Sequence, residues 1–149
     1  MKQKRINKYN RKDFVMWGKN ACVVYDLWLE NKMIFLLEDD KNRIKWFRKH
    51  WPNMLHADNP VDGLRILQEN DDFEFIFLDH DLGGAYTRGP QGDGIDLAKD
   101  MARLQLHTNV KVIVHSLNPV GARNIANELA STHDDVAVLS FIELKYLID

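Results

Sequence analysis

From Met33 onward the chain alternates short apolar runs with longer stretches in which apolar residues recur at helical spacing. Strands are predicted near 33–38, 54–57, 74–79, 110–115 and 136–139, and helices near 41–50, 61–69, 95–106, 120–131 and 141–148. Local chemistry supports the helix starts. Asn59 precedes Pro60, Asn118 precedes Pro119, and Asp93 stands just ahead of the helix near Ile95, which are capping and first-turn pairs. Strands separated by helices of this length need crossover connections, so an α/β fold follows, with a doubly wound five-stranded parallel sheet covered on both faces. No internal repeat or low-complexity segment interrupts the pattern.

Three of the apolar runs end in polar clusters. MIFLL (33–37) runs into Glu38, Asp39 and Asp40, FEFIFL (73–78) into Asp79, His80 and Asp81, and VKVIV (110–114) into His115 and Ser116. Ligands in parallel sheets bind outside the carboxyl ends of the strands, so these residues are expected at one site. The segment HDLGGAYTRGPQGDG (80–94) holds five of the eight glycines and is too long for an ordinary strand-to-helix turn, which suggests a lid. Arg88 is its one cation and offers a charge for a phosphate. Neither GxxxxGK[ST] nor GxGxxG is present.

Composition narrows the setting. At 149 residues and 45% hydrophobic the chain can bury one sizeable core. No apolar run approaches the roughly 20 residues of a membrane span, so a cytoplasmic protein without membrane contact is expected. The single Cys22 excludes an internal disulfide and reads as packing. Charge divides the chain: residues 1–32 carry eight Lys/Arg against Asp13, Asp26 and Glu30, a net +5, which leaves −7 on the rest of a chain of net charge −2. We read 1–32 as a basic extension and 33–149 as the α/β domain. The extension carries Tyr9, Trp17, Tyr25 and Trp28, a set able to contact nucleic acid, although a solubilising tail is the blander reading. Within it, ACVVYDLWL (21–29) fits an edge strand or a short helix equally well.

The strand-end residues suit phosphate chemistry. Glu38, Asp39 and Asp79 are hard oxygen donors of the kind Mg²⁺ prefers. His80 and His115 titrate near neutral pH and suit an acid and base pair, and with Asp79 or Asp81 they also suit a transition metal. Ser116 and Asn118 offer donors for phosphate oxygens beside a helix N-terminus, and ordinary capping explains Asn118 equally well. His50, His56, His107 and His133 have no acidic companion in the sequence and read as structural or surface residues.

With these residues in place, residues 33–140 resemble the receiver (flavodoxin-like) fold of two-component response regulators. Glu38 and Asp39 look like the receiver's acidic pair, Asp79 falls where its phosphoacceptor falls, and Ser116 matches its fourth-strand Ser/Thr. The chain departs from that pattern after the fifth strand, where AVLSF (137–141) lacks the receiver's Lys-Pro and Lys145 lies too far along. LDHDLGG (78–84), GDGIDLA (92–98) and VHSLNPVGA (114–122) resemble instead a divergent receiver-like family described as cyclic-phosphate processing, predicted to act in RNA repair and in prokaryotic or phage conflict. The resemblance implies functional roles for Glu38, Asp39, Asp79, His80, Asp81, His115, Ser116 and Asn118, and leaves residues 1–32 outside it. Three functions follow as expectations. The first is a phosphodiesterase that hydrolyses a cyclic nucleotide or a 2′,3′-cyclic RNA end, with Mg²⁺ held by Glu38, Asp39 and Asp79. The others are a receiver phosphorylated on Asp79 and a binder that sequesters a cyclic nucleotide without turnover.

Overall fold

The computed structural model describes residues 33–83 and 89–149. The basic extension, its segment 21–29, Cys22 and Arg88 lie outside the described residues. In chain order the elements are β1 (Ile34–Leu37), α1 (Lys41–His50), β2 (Leu55–Ala57), α2 (Pro60–Glu69), β3 (Phe75–Leu78), α3 (Gly94–Leu104), β4 (Lys111–Val114), α4 (Pro119–Leu129), β5 (Val136–Val138) and α5 (Phe141–Ile148). All five strands are parallel, in the order β2-β1-β3-β4-β5. The predicted α/β class and every element predicted from Met33 onward are present.

Differences are confined to element ends. The third helix stops at Leu104 rather than 106 because Gln105 takes a left-handed conformation, φ 51°, and the Leu106 N–H turns back to the Met101 carbonyl. Two helices begin on the predicted proline: the Asn59 and Asn118 side chains accept from the Asp62 and Gly121 N–H groups, and Pro60 and Pro119 fill the first turn.

Strand side chains alternate between two cores. Ile34, Leu36, Phe75, Phe77 and Ile113 face α1 and α5 through Phe47, Trp51, Leu144 and Leu147. Phe35, Leu37, Ile76, Leu78, Val112 and Val114 face α2, α3 and α4 through Leu67, Leu97, Met101, Ala122 and Ile125. The central strands are apolar on both faces because helices cover both. Burial of this kind stabilises by about 25 cal/mol per Å² of apolar surface and here fixes the register of the strand ends.

That register decides the site. Leu37, Leu78 and Val114 form one lateral row on the α2/α3/α4 face. The next residues are Glu38, Asp79 and His115, and strand alternation turns them to the α1/α5 face. The strand order reverses between β1 and β3, so the crevice opens where Glu38 and Asp79 emerge.

Candidate functional site

A cavity of about 620 Å³ lies at this switch point, lined by Asp39, Asp40, Lys41, Arg43, Asp79, Asp81, Ser116, Leu117 and Asn118. All three strand ends predicted to converge contribute to it or to its floor.

Asp79 forms the floor, with Glu38 and His115 packed behind it, and all three are buried. Both carboxylate oxygens of Glu38 are engaged: Oε1 accepts from Arg43 Nε at 2.8 Å and from His115 Nε2 at 3.0 Å, while Oε2 accepts from Arg43 Nη2 and from the Asp39 and Asp40 N–H groups. Burial alone would raise its pKa. The hydrogen bonds and charges of His115 and Arg43 prevail and hold it far below the usual carboxylate range.

Asp79 is in the opposite condition. Its Oδ1 accepts the His80 N–H at 2.8 Å, but the buried Oδ2 has no hydrogen-bond partner among the described residues and lies 3.5 Å from Arg43 Nη2. Burial, reinforced by the adjacent Glu38 charge, pushes its pKa up to about 7 against the partial opposition of His115 and Arg43. Asp39, on the rim, is also raised, by burial and by Glu38.

Ligand oxygens of Glu38, Asp39 and Asp79 lie within 4.8 Å of one another, so the acidic cluster expected from the sequence is present. The donors fit a hard cation: the orphaned Asp79 Oδ2 is a ligand atom in want of a partner, and Asp39 supplies a second carboxylate. Glu38 adds negative charge to the cluster with its oxygens already committed.

The two histidines do not share a surface. His115 is sealed beneath Glu38, its ring 5.1 Å from that of Phe47, with Nδ1 buried and without a hydrogen-bond partner among the described residues. His80 lies against α4, where its ring faces Gly121. Its Nδ1 is 2.6 Å from Asp81 Oδ1, and its side chain is 17% exposed. Asn118 Nδ2 donates to Asp81 at 3.3 Å and so steadies the pair. Ser116 Oγ accepts the Asn118 N–H at 3.1 Å, which sets both residues at the mouth of α4. His115 and Ser116 both reach the site region because β4 has already ended at Val114. Asp93 closes the base of the glycine-rich segment: its Oδ1 accepts from Leu82 and Gly89, and its own N–H donates to Asp96.

The remaining histidines bond to backbone carbonyls or to the C-terminal residue. His56 meets the Glu38 carbonyl, His107 that of Leu67 and His133 that of Leu106. For His50 the expectation needs correction, since Asp149 Oδ1 lies 3.2 Å from its Nε2. That companion is 99 residues away in sequence and arrives through the packing of α5 on α1.

Sequence reasoning missed Arg43. The available signal was a first helical turn with Lys41 and Arg43 and no acid, immediately after an acidic strand end, an arrangement that the helix dipole disfavours.

The model of the cyclic-phosphate processing receiver domain matches residues 33–131, which contain every strand-end residue of the site. The chain belongs to that family. Known structures agree on the fold. The receiver domain of a Francisella response regulator superposes with a TM-score of 0.56 at 22% identity, covering 79% of this chain and 91% of its own. A CheY-like response regulator receiver domain from Methylobacillus flagellatus gives 0.53 at 14%, covering 79% and 96%. The receiver domain of a histidine kinase from Arabidopsis thaliana gives 0.51 at 17%, covering 77% and 84%. No curated protein matches the sequence. Among the described residues no helix is long and apolar enough to cross a membrane.

Proposed function

We propose that this receiver-like domain is a phosphoesterase that hydrolyses a cyclic phosphate, either a cyclic nucleotide or a 2′,3′-cyclic RNA end. The observation that carries the reading is the His80–Asp81 pair, at 2.6 Å, whose Asp81 lines the same cavity as Asp79 with its buried, unsatisfied oxygen. Asp81 fixes the imidazole through Nδ1 and leaves Nε2 for a proton in transit. Water attacks phosphorus as His80 takes its proton. The bond from phosphorus to the ribose oxygen breaks, and the proton returns to that oxygen. Ser116 and Asn118 hold non-bridging oxygens beside the N-terminus of α4, where backbone N–H groups and the helix dipole favour an anion. Mg²⁺, held by Asp79 and Asp39 within the cluster that includes Glu38, would neutralise phosphate charge. His115, with Nε2 committed to Glu38, serves by holding that carboxylate. The basic residues 1–32 suit an RNA substrate in the cytoplasm, and RNA repair or phage conflict is the setting this chemistry fits.

The test is incubation of the full chain, with and without Mg²⁺ or Mn²⁺, with 2′,3′- and 3′,5′-cyclic mononucleotides, cyclic oligonucleotides and cyclic-ended RNA, read by mass. Gain of one water, lost in His80→Ala, supports the reading. Absence of turnover across the panel counts against it.

A second reading is favoured by the orphaned Asp79 Oδ2 itself. A carboxylate oxygen with no hydrogen-bond partner among the described residues is available to attack a phosphoryl donor, as expected of a receiver phosphorylated on this aspartate. Incubation with acetyl phosphate and Mg²⁺ discriminates: a phosphoryl adduct on Asp79, absent in Asp79→Asn, selects the receiver.

A further inference from the structure

The chain lacks a cation where β5 ends: Val138 is followed by the buried Leu139, and Ser140 caps α5. A cation nevertheless stands over Asp79. Arg43 reaches it from the other side of the crevice, with Nη2 3.5 Å from Asp79 Oδ2. Its guanidinium is held by two parallel bonds to Glu38, Nε to Oε1 at 2.8 Å and Nη2 to Oε2 at 3.1 Å. Glu38 is in turn anchored by buried His115 and two backbone N–H groups. Such a fork is pre-organised, since the carboxylate that orients it cannot turn away. The Arg43 side chain remains 23% exposed and lines the cavity opposite Ser116 and Asn118. Among the described residues Nη1 has no hydrogen-bond partner.

We propose that Arg43 is a phosphoryl-binding residue of this site, positioned by the Glu38–His115 pair and standing in for the cation that the end of β5 does not supply. Its ligand is a non-bridging phosphate oxygen, met by the outward edge of the guanidinium while the inward edge keeps Glu38. The cavity otherwise presents Asp39, Asp40, Asp79 and Asp81 against Lys41 at the rim, a wall that repels an anion. A fixed arginine on the floor offsets that repulsion at the point where the phosphoryl group must approach Asp79. The inference rests on the proposed reading that this cavity takes a phosphoryl group, and it holds for hydrolysis and for phosphoryl transfer alike.

The experiment is calorimetric titration of the full chain with inorganic phosphate and with a 2′,3′-cyclic mononucleotide, in saturating Mg²⁺, for wild type, Arg43→Lys, Arg43→Gln and Lys41→Gln. Arg43→Lys keeps the charge and the buried Glu38 compensated, so it guards against a variant that fails to fold. Loss of the fork is expected to weaken anion binding about tenfold in Arg43→Lys and by more than that in Arg43→Gln. Removal of the solvated Lys41 charge is expected to change it less than about threefold. Mg²⁺ binding without anion, titrated separately, is expected to persist in both Arg43 variants. Anion affinity unchanged in the Arg43 variants, or equal losses in Arg43→Lys and Lys41→Gln, would overturn the proposal. Should the wild type bind anion through Arg43 yet hydrolyse nothing, the inference stands and the phosphoesterase reading fails. Should it hydrolyse a cyclic phosphate with Arg43→Gln at the wild-type KM, the reading stands and the inference fails.

Discussion

His115 donates from Nε2 to Glu38 Oε1 across 3.0 Å, and neither side chain reaches solvent. The direction of the bond is fixed by charge: Glu38 is ionised, because His115 and Arg43 overcome its burial, so the shared proton sits on nitrogen. A buried pair of this kind is costly to break from one side, since the remaining carboxylate keeps its desolvation penalty without its partner. His115→Leu is therefore expected to lose about 3–5 kcal/mol of stability. His115→Gln, which still offers an N–H, should lose less. Urea unfolding of the three proteins decides it, and a His115→Leu midpoint equal to wild type would show that Arg43 alone satisfies Glu38.

His80 makes the complementary case. Its ring is partly exposed, oriented by Asp81, and rests against Gly121 at the start of α4. His80→Gln is expected to lower turnover of a cyclic phosphate by about 10²–10⁴. Its unfolding free energy from urea titration should stay within about 0.5 kcal/mol of wild type. Gly121→Ala should reproduce the loss without touching the histidine's chemistry. A Cβ there would run into His80 Cγ, and would stand 2.7 Å from Cδ2 and 2.8 Å from Asn118 Nδ2, so the imidazole and its supporting amide must both shift. Normal kcat in Gly121→Ala would indicate that the orientation of His80 is not used.

The fold was legible because the signals were local and repeated. Apolar runs, Asn-Pro caps and the alternation of element lengths each point to the same parallel sheet, and only helix ends such as Gln105 escaped, where one backbone angle decides. The strand-end residues were legible for the same reason, since parallel strands deliver their last residues to one edge. Their division of labour was not. Whether His115 or His80 is sealed depends on which face of the sheet each strand end presents and which helix covers it, and that is set by Phe47 and Gly121 from distant segments. Arg43 carried only the weak signal of a basic first helical turn, because an arginine there acquires its meaning once β3 places Asp79 beside it.

Gly94 illustrates how tightly the site is built. It opens α3 directly behind Asp79, and a Cβ there would overlap the Asp79 carbonyl oxygen and lie 3.0 Å from His80 Cα. Backbone cannot yield as a flexible side chain does. Gly94→Ala is expected to destabilise by about 2–4 kcal/mol, beyond the range of a surface change, and to shift the Asp79–His80 backbone. Thermal unfolding together with Mg²⁺ titration checks both parts. A stable Gly94→Ala protein with wild-type Mg²⁺ affinity would mean that α3 can move away from the strand end at little cost.

Asp79 gives a stability signature with a definite sign. Its pKa is about 7 in the folded protein against an ordinary value of 3.8, raised by burial and by Glu38. Across that window the native state binds more protons than the unfolded chain, so the contribution of Asp79 is fully present below about pH 4 and is lost as pH rises through 7. Asp79→Asn removes the titrating group while keeping its shape. Without metal, the urea midpoint of wild type is expected to fall from pH 5 to pH 8 relative to Asp79→Asn. Mg²⁺ should recover the lost stability of wild type at pH 8 and do little at pH 5, because a cation on Oδ2 competes with the proton there. Parallel pH profiles for the two proteins would show that the Asp79 carboxyl ionises in the native state as freely as it does in the unfolded chain.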